Sequence, residues 1–210
     1  MNDILEYMFE RSQNEIPDIA VSATPLKTRV ELESNALKSI SGEQGYFKTT
    51  IRLPGSTNHY LVEILEKMIE KLLYTELREK RGWLYCSNIN SEYLGAAWLV
   101  DIECNVKKES WLEAERVIEE VFSKLEEARQ LFWDIRLYLV KRLDLMGPEQ
   151  IHLKASELLS SFGLLESARK QQSRLERMKF HQLFDLIRHF RPEHRFTVLR
   201  PPMGAKMWMM

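Results

Sequence analysis

The stretch LLYTELREKRGWLYCSN, residues 72–88, is the most specific pattern in the sequence. A charged amphipathic run stops at Gly82 and turns at once into aromatic and polar residues that read as a strand. At this corner Arg78, Arg81 and Tyr85 offer strong hydrogen-bond donors, two guanidinium forks and a phenol. Residue types alone also allow a plain reading, in which the arginines suit the negative end of a helix and Tyr85 fills a strand position. The other candidates are weaker. The histidines are His59, His152, His181, His189 and His194. A zinc hydrolase built on a helix needs two His one turn apart with a Glu base beside them. HFRPEH, residues 189–194, sets its two His five apart and interrupts them with Pro192, so the imidazoles do not share a helical face. NHYLVEI offers His59 and Glu63 without a second His, and His59 is expected at the surface or in a helix cap. There is no glycine-rich phosphate loop and no GxSxG elbow. Cys86 and Cys104 are too few for a disulfide framework and are expected as buried free thiols.

The elements that must position the corner follow from periodicity. In STNHYLVEILEKMIEKLLYTELREKRG, one of Ser56, Thr57 or Asn58 caps a helix over residues 58–81, and Leu61, Ile64, Leu65, Met68 and Leu72 form its apolar stripe. Gly82 suits the left-handed position that ends it. Residues 83–105 read as a hairpin turning near 94–95. Trp98, Val100, Ile102 and Cys104 alternate onto one face. Pairing about 94–95 adds Leu84 and Cys86 to that apolar face and puts Tyr85 and Ser87 on the other. YFKTTIRLPG precedes the helix as a strand, TRVELES is a weaker one, and RFTVLR is the last. Residues 2–14 read as a short helix, and from Glu109 onward the chain is mostly helical, with breaks at Gly147-Pro148 and Gly163. The order of strand, helix, hairpin, helices and strand gives an α+β fold, a mainly antiparallel sheet with helices packed on one face. The tail PPMGAKMWMM has no physical account here.

Composition bounds the rest. With 210 residues, 44% hydrophobic, 29% charged and a net charge of -1, the chain reads as one domain over residues 1–210, with a core of about 20–202. The charge balance argues against a nucleic-acid partner, and no run is long and apolar enough to span a membrane. MNDILEYMFERSQNE lacks the apolar centre of a signal peptide, so a cytoplasmic chain is expected.

TELREKRGWLYCSN resembles the helix-to-strand motif LREKRGLAYSV of the non-zinc-binding domain type in the pitrilysin/insulinase zinc metallopeptidase family. Leu77, Arg78, Glu79, Lys80, Arg81, Gly82 and Tyr85 match, while Trp83 and Leu84 replace a smaller pair. The resemblance covers about residues 20–202. It implies a division of labour. One domain carries an HxxEH zinc site, and a related domain without zinc supplies Arg78 and Tyr85 to hold the peptide substrate and stabilise the scissile carbonyl. HxxEH is absent from this sequence. The resemblance therefore implies no cofactor or metal on this chain, zinc on an HxxEH partner subunit or missing domain, and a chain inactive alone. A homo-oligomer is a further possible partner. The same fold also serves structural or assembly subunits without peptidase function, which is the alternative reading.

Overall fold

The computed structural model describes residues 29–31, 44–147, 149–154, 156, 167–190 and 195–200. The expected helix at 2–14, the break at Gly163 and the Met-rich tail lie outside them. The strands are β1 (Arg29–Glu31), β2 (Gln44–Pro54), β3 (Leu84–Tyr93), β4 (Ala97–Lys107) and β5 (Arg195–Arg200). The longer helices are α1 (His59–Leu73), α2 (Trp111–Lys124), α3 (Arg129–Leu145) and α4 (Ala168–Arg177). The sheet order is β1-β5-β2-β4-β3. Only β1 and β5 run parallel, so the expected α+β class with a mainly antiparallel sheet holds.

The sheet buries one face. Phe47, Ile51 and Leu53 of β2 and Trp98, Val100, Ile102, Cys104 and Val106 of β4 are buried in one cluster with side chains of α1, α2 and α3. The other face carries polar rungs. Lys48 bridges Asp101 at 3.1 Å and Glu103 at 2.8 Å, and the Thr50 hydroxyl donates to Asp101. Asn58 caps α1, its side-chain oxygen accepting from the Tyr60 amide at 2.9 Å. Tyr60, Leu61, Ile64, Leu65, Met68, Ile69 and Leu73 make the buried stripe, and Leu72 sits half-buried at its margin. His59 starts the helix half-buried rather than at the open surface. Burial first, then Lys154 and Arg174, push its imidazole down to about 4.

The hairpin departs from its expected register. Its loop is Gly95-Ala96, with Gly95 at φ 75° and the Leu94 amide donating to the Ala97 carbonyl at 2.9 Å. Tyr93 therefore faces Trp98, and odd residues of β3 pair with even residues of β4. Ser87 opposes Cys104 on the core side, and Cys86 opposes Asn105 on the open side, the reverse of the sequence expectation. A bulge between Leu84 and Cys86 then restores the other parity, so Leu84 pairs with Val106 and is buried as expected. Of the two thiols, only Cys104 is buried, and burial pushes it up to about 12. Cys86 is exposed.

The register assigns different weights to the two hairpin strands. Ile102→Ala empties a site with no solvent exposure and should lower unfolding free energy by about 2–5 kcal/mol. Asn88→Ala, on the open face of β3, should stay within about 0.5 kcal/mol. Denaturant melts of both variants check the ordering, and similar losses would refute the register.

Candidate functional site

The corner begins where α1 stops being α-helical. Tyr74–Glu79 forms a π-helical turn, which the sequence expectation of one continuous α-helix to 81 missed. The Lys80 amide reaches back five residues to the Thr75 carbonyl at 3.1 Å. Gly82 follows at φ 65°, the left-handed conformation expected of it. Its amide donates to the Arg78 carbonyl at 3.0 Å, and the Trp83 amide donates to the Leu77 carbonyl at 2.8 Å. This paired closure resembles a Schellman ending opened by one residue, as a π turn requires. The Trp83 carbonyl then accepts from Lys107 at 2.9 Å, fastening the corner to the end of β4.

The cations of ELREKR are sorted between two acceptors. Glu76 is buried, at 5% exposure, on the helix face that points inward. One carboxylate oxygen accepts from Lys80 and from Lys124, the last residue of α2, each at 2.8 Å. The other accepts from Arg81 at 2.9 Å, and Arg81 also donates to the Glu76 backbone carbonyl at 2.7 Å. The Arg81 guanidinium lies 5.6 Å from the centre of the Trp83 ring, so the larger residue in place of the motif's usual one has a cationic neighbour. Arg78 goes elsewhere. It is exposed, and its Nη1 donates to the Leu84 carbonyl at 2.6 Å. That carbonyl belongs to the peptide bond leading into Tyr85.

Tyr85 is the extra residue of the bulge and is 49% exposed. A bulge re-aims a side chain relative to the pleat. Arg78, seven residues before Tyr85 in sequence, is thus joined to it through the backbone of Leu84. Beside them on the open face, Asn105 donates to the Cys86 sulfur at 3.1 Å. Among the described residues no three His, Cys, Asp or Glu side chains gather into a group that could hold a metal, and no helix is long and apolar enough to cross a membrane. Of HFRPEH, only His189 and Phe190 are described.

The sequence pattern singles out Arg78, Gly82 and Tyr85 and leaves Glu76 unremarked. Its signal was present. Leu65, Met68, Ile69, Leu72 and Leu73 continue at helical spacing onto position 76, where a carboxylate replaces the next apolar residue. An acid on a buried stripe must find cations, and Lys80 and Arg81 follow at once.

No protein-family model matches the sequence, and a search of curated proteins finds no match. Solved structures do match. The periplasmic protease PqqL from Escherichia coli is 14% identical, with a TM-score of 0.66 over 96% of this chain and 24% of its own. A peptidase M16 inactive domain from Pseudomonas fluorescens is 13% identical, with a TM-score of 0.66 over 85% of this chain and 44% of its own. The fold is that of a single M16 peptidase domain. The ferredoxin protease FusC, solved in complex with Arabidopsis ferredoxin, is 15% identical, with a TM-score of 0.63 over 84% of this chain and 20% of its own. At these identities the likeness carries the fold. The chain spans less than half the length of each of these neighbours.

The Glu76 cluster makes the corner acid-sensitive. Lys124, then Lys80 and Arg81, hold the carboxyl down at about 2, against an ordinary 4.5. A depressed folded pKa contributes stability that is fully present above the ordinary value and is lost as pH falls toward the folded one. Glu76→Gln should therefore cost about 1–3 kcal/mol at neutral pH, discounted from about 1.4 kcal/mol per pKa unit because the cations are partly solvated. The difference from the parent should shrink as chemical unfolding is repeated from about pH 5 down to about pH 2. A difference constant with pH would show that charge is not its origin.

Proposed function

We propose that this chain is a non-zinc-binding half of a zinc metallopeptidase, and that Arg78 and Tyr85 contact the bound peptide. One observation carries the reading. The Arg78 guanidinium is seated on the Leu84 carbonyl beside a bulge that presents Tyr85 to solvent. A guanidinium pinned by one nitrogen keeps N–H groups for a second acceptor. Among the described residues, no other hydrogen bond or ion pair of Arg78 is found. The Tyr85 phenol, on the residue after that carbonyl, supplies another donor at the rim of the corner. A donor fixed before substrate arrives, as the Arg78 guanidinium is, stabilises a developing oxyanion without reorganising, which favours the transition state over the ground state.

The neighbours support the coarser part of this reading. They include proteases and a domain described as inactive, and FusC was solved with a protein bound. In this reading the metal and base of the reaction belong to an HxxEH subunit or domain outside this chain, since the sequence has no HxxEH pattern. Zinc bound there would acidify the attacking water. The contribution of this chain is to hold the peptide and the carbonyl oxygen against that site.

Tyr85→Phe removes one hydroxyl from an exposed position and should leave folding nearly unchanged. Assayed with the HxxEH partner, it should reduce turnover by roughly 10²–10³, the loss typical of one oxyanion donor. Arg78→Ala should also reduce activity, with a larger share in the Michaelis constant, because Arg78 contributes to peptide binding. Parental turnover in a folded, assembled Tyr85→Phe complex would overturn the assignment and leave the assembly-subunit role.

A further inference from the structure

We infer that Glu76 is the positioning residue of the corner. Its buried carboxylate collects Lys80, Arg81 and Lys124, which leaves Arg78 as the cation seated on the Leu84 carbonyl next to Tyr85. This inference rests on the reading of Arg78 and Tyr85 as peptide contacts.

The local sequence creates a problem that Glu76 solves. Within Arg78–Arg81 three cations crowd into four residues at the end of a helix. All three are drawn to the same negative helix end, where carbonyls lack partners. An arrangement with Arg81 or Lys80 on the Leu84 carbonyl would satisfy similar electrostatics and would disorder the rim. A carboxylate nearly closed off from water breaks that degeneracy. Charge-assisted bonds are the strong ones, and this anion has room for three of them. It takes Lys80 and Arg81 from the corner itself. Arg81 is held twice, by side chain and backbone of the same residue.

The π turn is part of the same device. On an α-helix, neighbours lie three and four residues apart, which brings Lys80 to Glu76 but leaves Arg81 off to the side. A turn bonded from residue i to i+5 brings position 81 back over position 76. Bonds of that reach are present from Lys80 to Thr75, and the Glu76–Arg81 pair closes the same turn with side chains. The extra residue is thus balanced by the ion pair it permits. Lys124 adds the third point. It comes from the end of α2 and ties the corner to the helical layer rather than to its own segment alone.

The inference predicts loosening of the rim beyond any global loss of stability, and amide hydrogen exchange of the 210-residue chain reads it against the sheet. Lys124→Met is the milder variant, because it leaves Lys80 and Arg81 in place, and Glu76→Gln is the stronger one. In both, the Gly82 and Trp83 amides should exchange about tenfold or more faster relative to the Ile102 amide in β4. The Tyr85 ring resonances should shift as well. Lys67→Met, which breaks an exposed pair with Glu70 at 2.7 Å, should change none of these. If the Gly82 and Trp83 amides keep their protection relative to Ile102 in a folded Lys124→Met chain, the inference is overturned. The peptide role is judged separately. If Glu76→Gln loosens the rim while Arg78→Ala leaves peptide cleavage by the partnered complex unchanged, Glu76 positions the corner and the functional reading fails. If Arg78→Ala abolishes cleavage while Glu76→Gln neither loosens the rim nor alters kcat or KM, the functional reading stands and the positioning role fails.

Discussion

The pairing of β3 with β4 is the constraint on which the corner depends. A two-residue loop at Gly95-Ala96 fixes which residues of β3 face the helices. Side chains alternate with a period of two, so that choice propagates along the whole strand. Carried without interruption to its start, it would turn Leu84 away from the core and leave a gap beneath α1 and α2. The bulge at Tyr85 resolves the conflict by adding one residue. Leu84 packs inward, and Tyr85 is released from the pleat. The exposure of Tyr85 is thus a consequence of burying Leu84.

Electrostatics then decides what surrounds the released side chain. The Lys48, Asp101 and Glu103 rung on the open face and the Glu76 cluster at the helix end are both groups in which charges satisfy one another locally. Their depths differ. The rung is half-exposed, where ion pairs contribute little. Glu76 is nearly closed to water, and removing a cation there leaves a carboxylate with too few partners. Stability and site geometry share one set of bonds in this region.

Much of the fold was legible in the sequence because long periodic segments leave little freedom. The α1 stripe, the alternation of Trp98, Val100 and Ile102, and the Gly82 ending all appear as read. What escaped was each place where one residue is inserted. The π turn after Leu73 and the bulge at Tyr85 both break a period, and period-based reading assumes that periods continue. The expectation that Cys86 joins the core fails for another reason: the Gly95-Ala96 loop sets the opposite parity along β3, so the strand presents it to solvent. Arg78 and Tyr85 are singled out together only through the resemblance, because a guanidinium and a phenol seven residues apart form no pattern that periodicity can read. Glu76 was legible in principle, as an acid standing where an apolar residue belonged.

β3 is the outer strand of the described sheet, so half of its backbone hydrogen-bonding groups point away from β4. A straight outer strand is a template on which another chain can polymerise. The bulge skews β3 at the end nearest the helix, and Asn88, Asn90 and Glu92 crowd its open side with polar groups. Deleting Tyr85, the one residue that makes the bulge, would straighten this margin. The colloidal behaviour of the chain, its resistance to stacking sheet against sheet at high concentration, is therefore written into the same irregularity that displays the tyrosine.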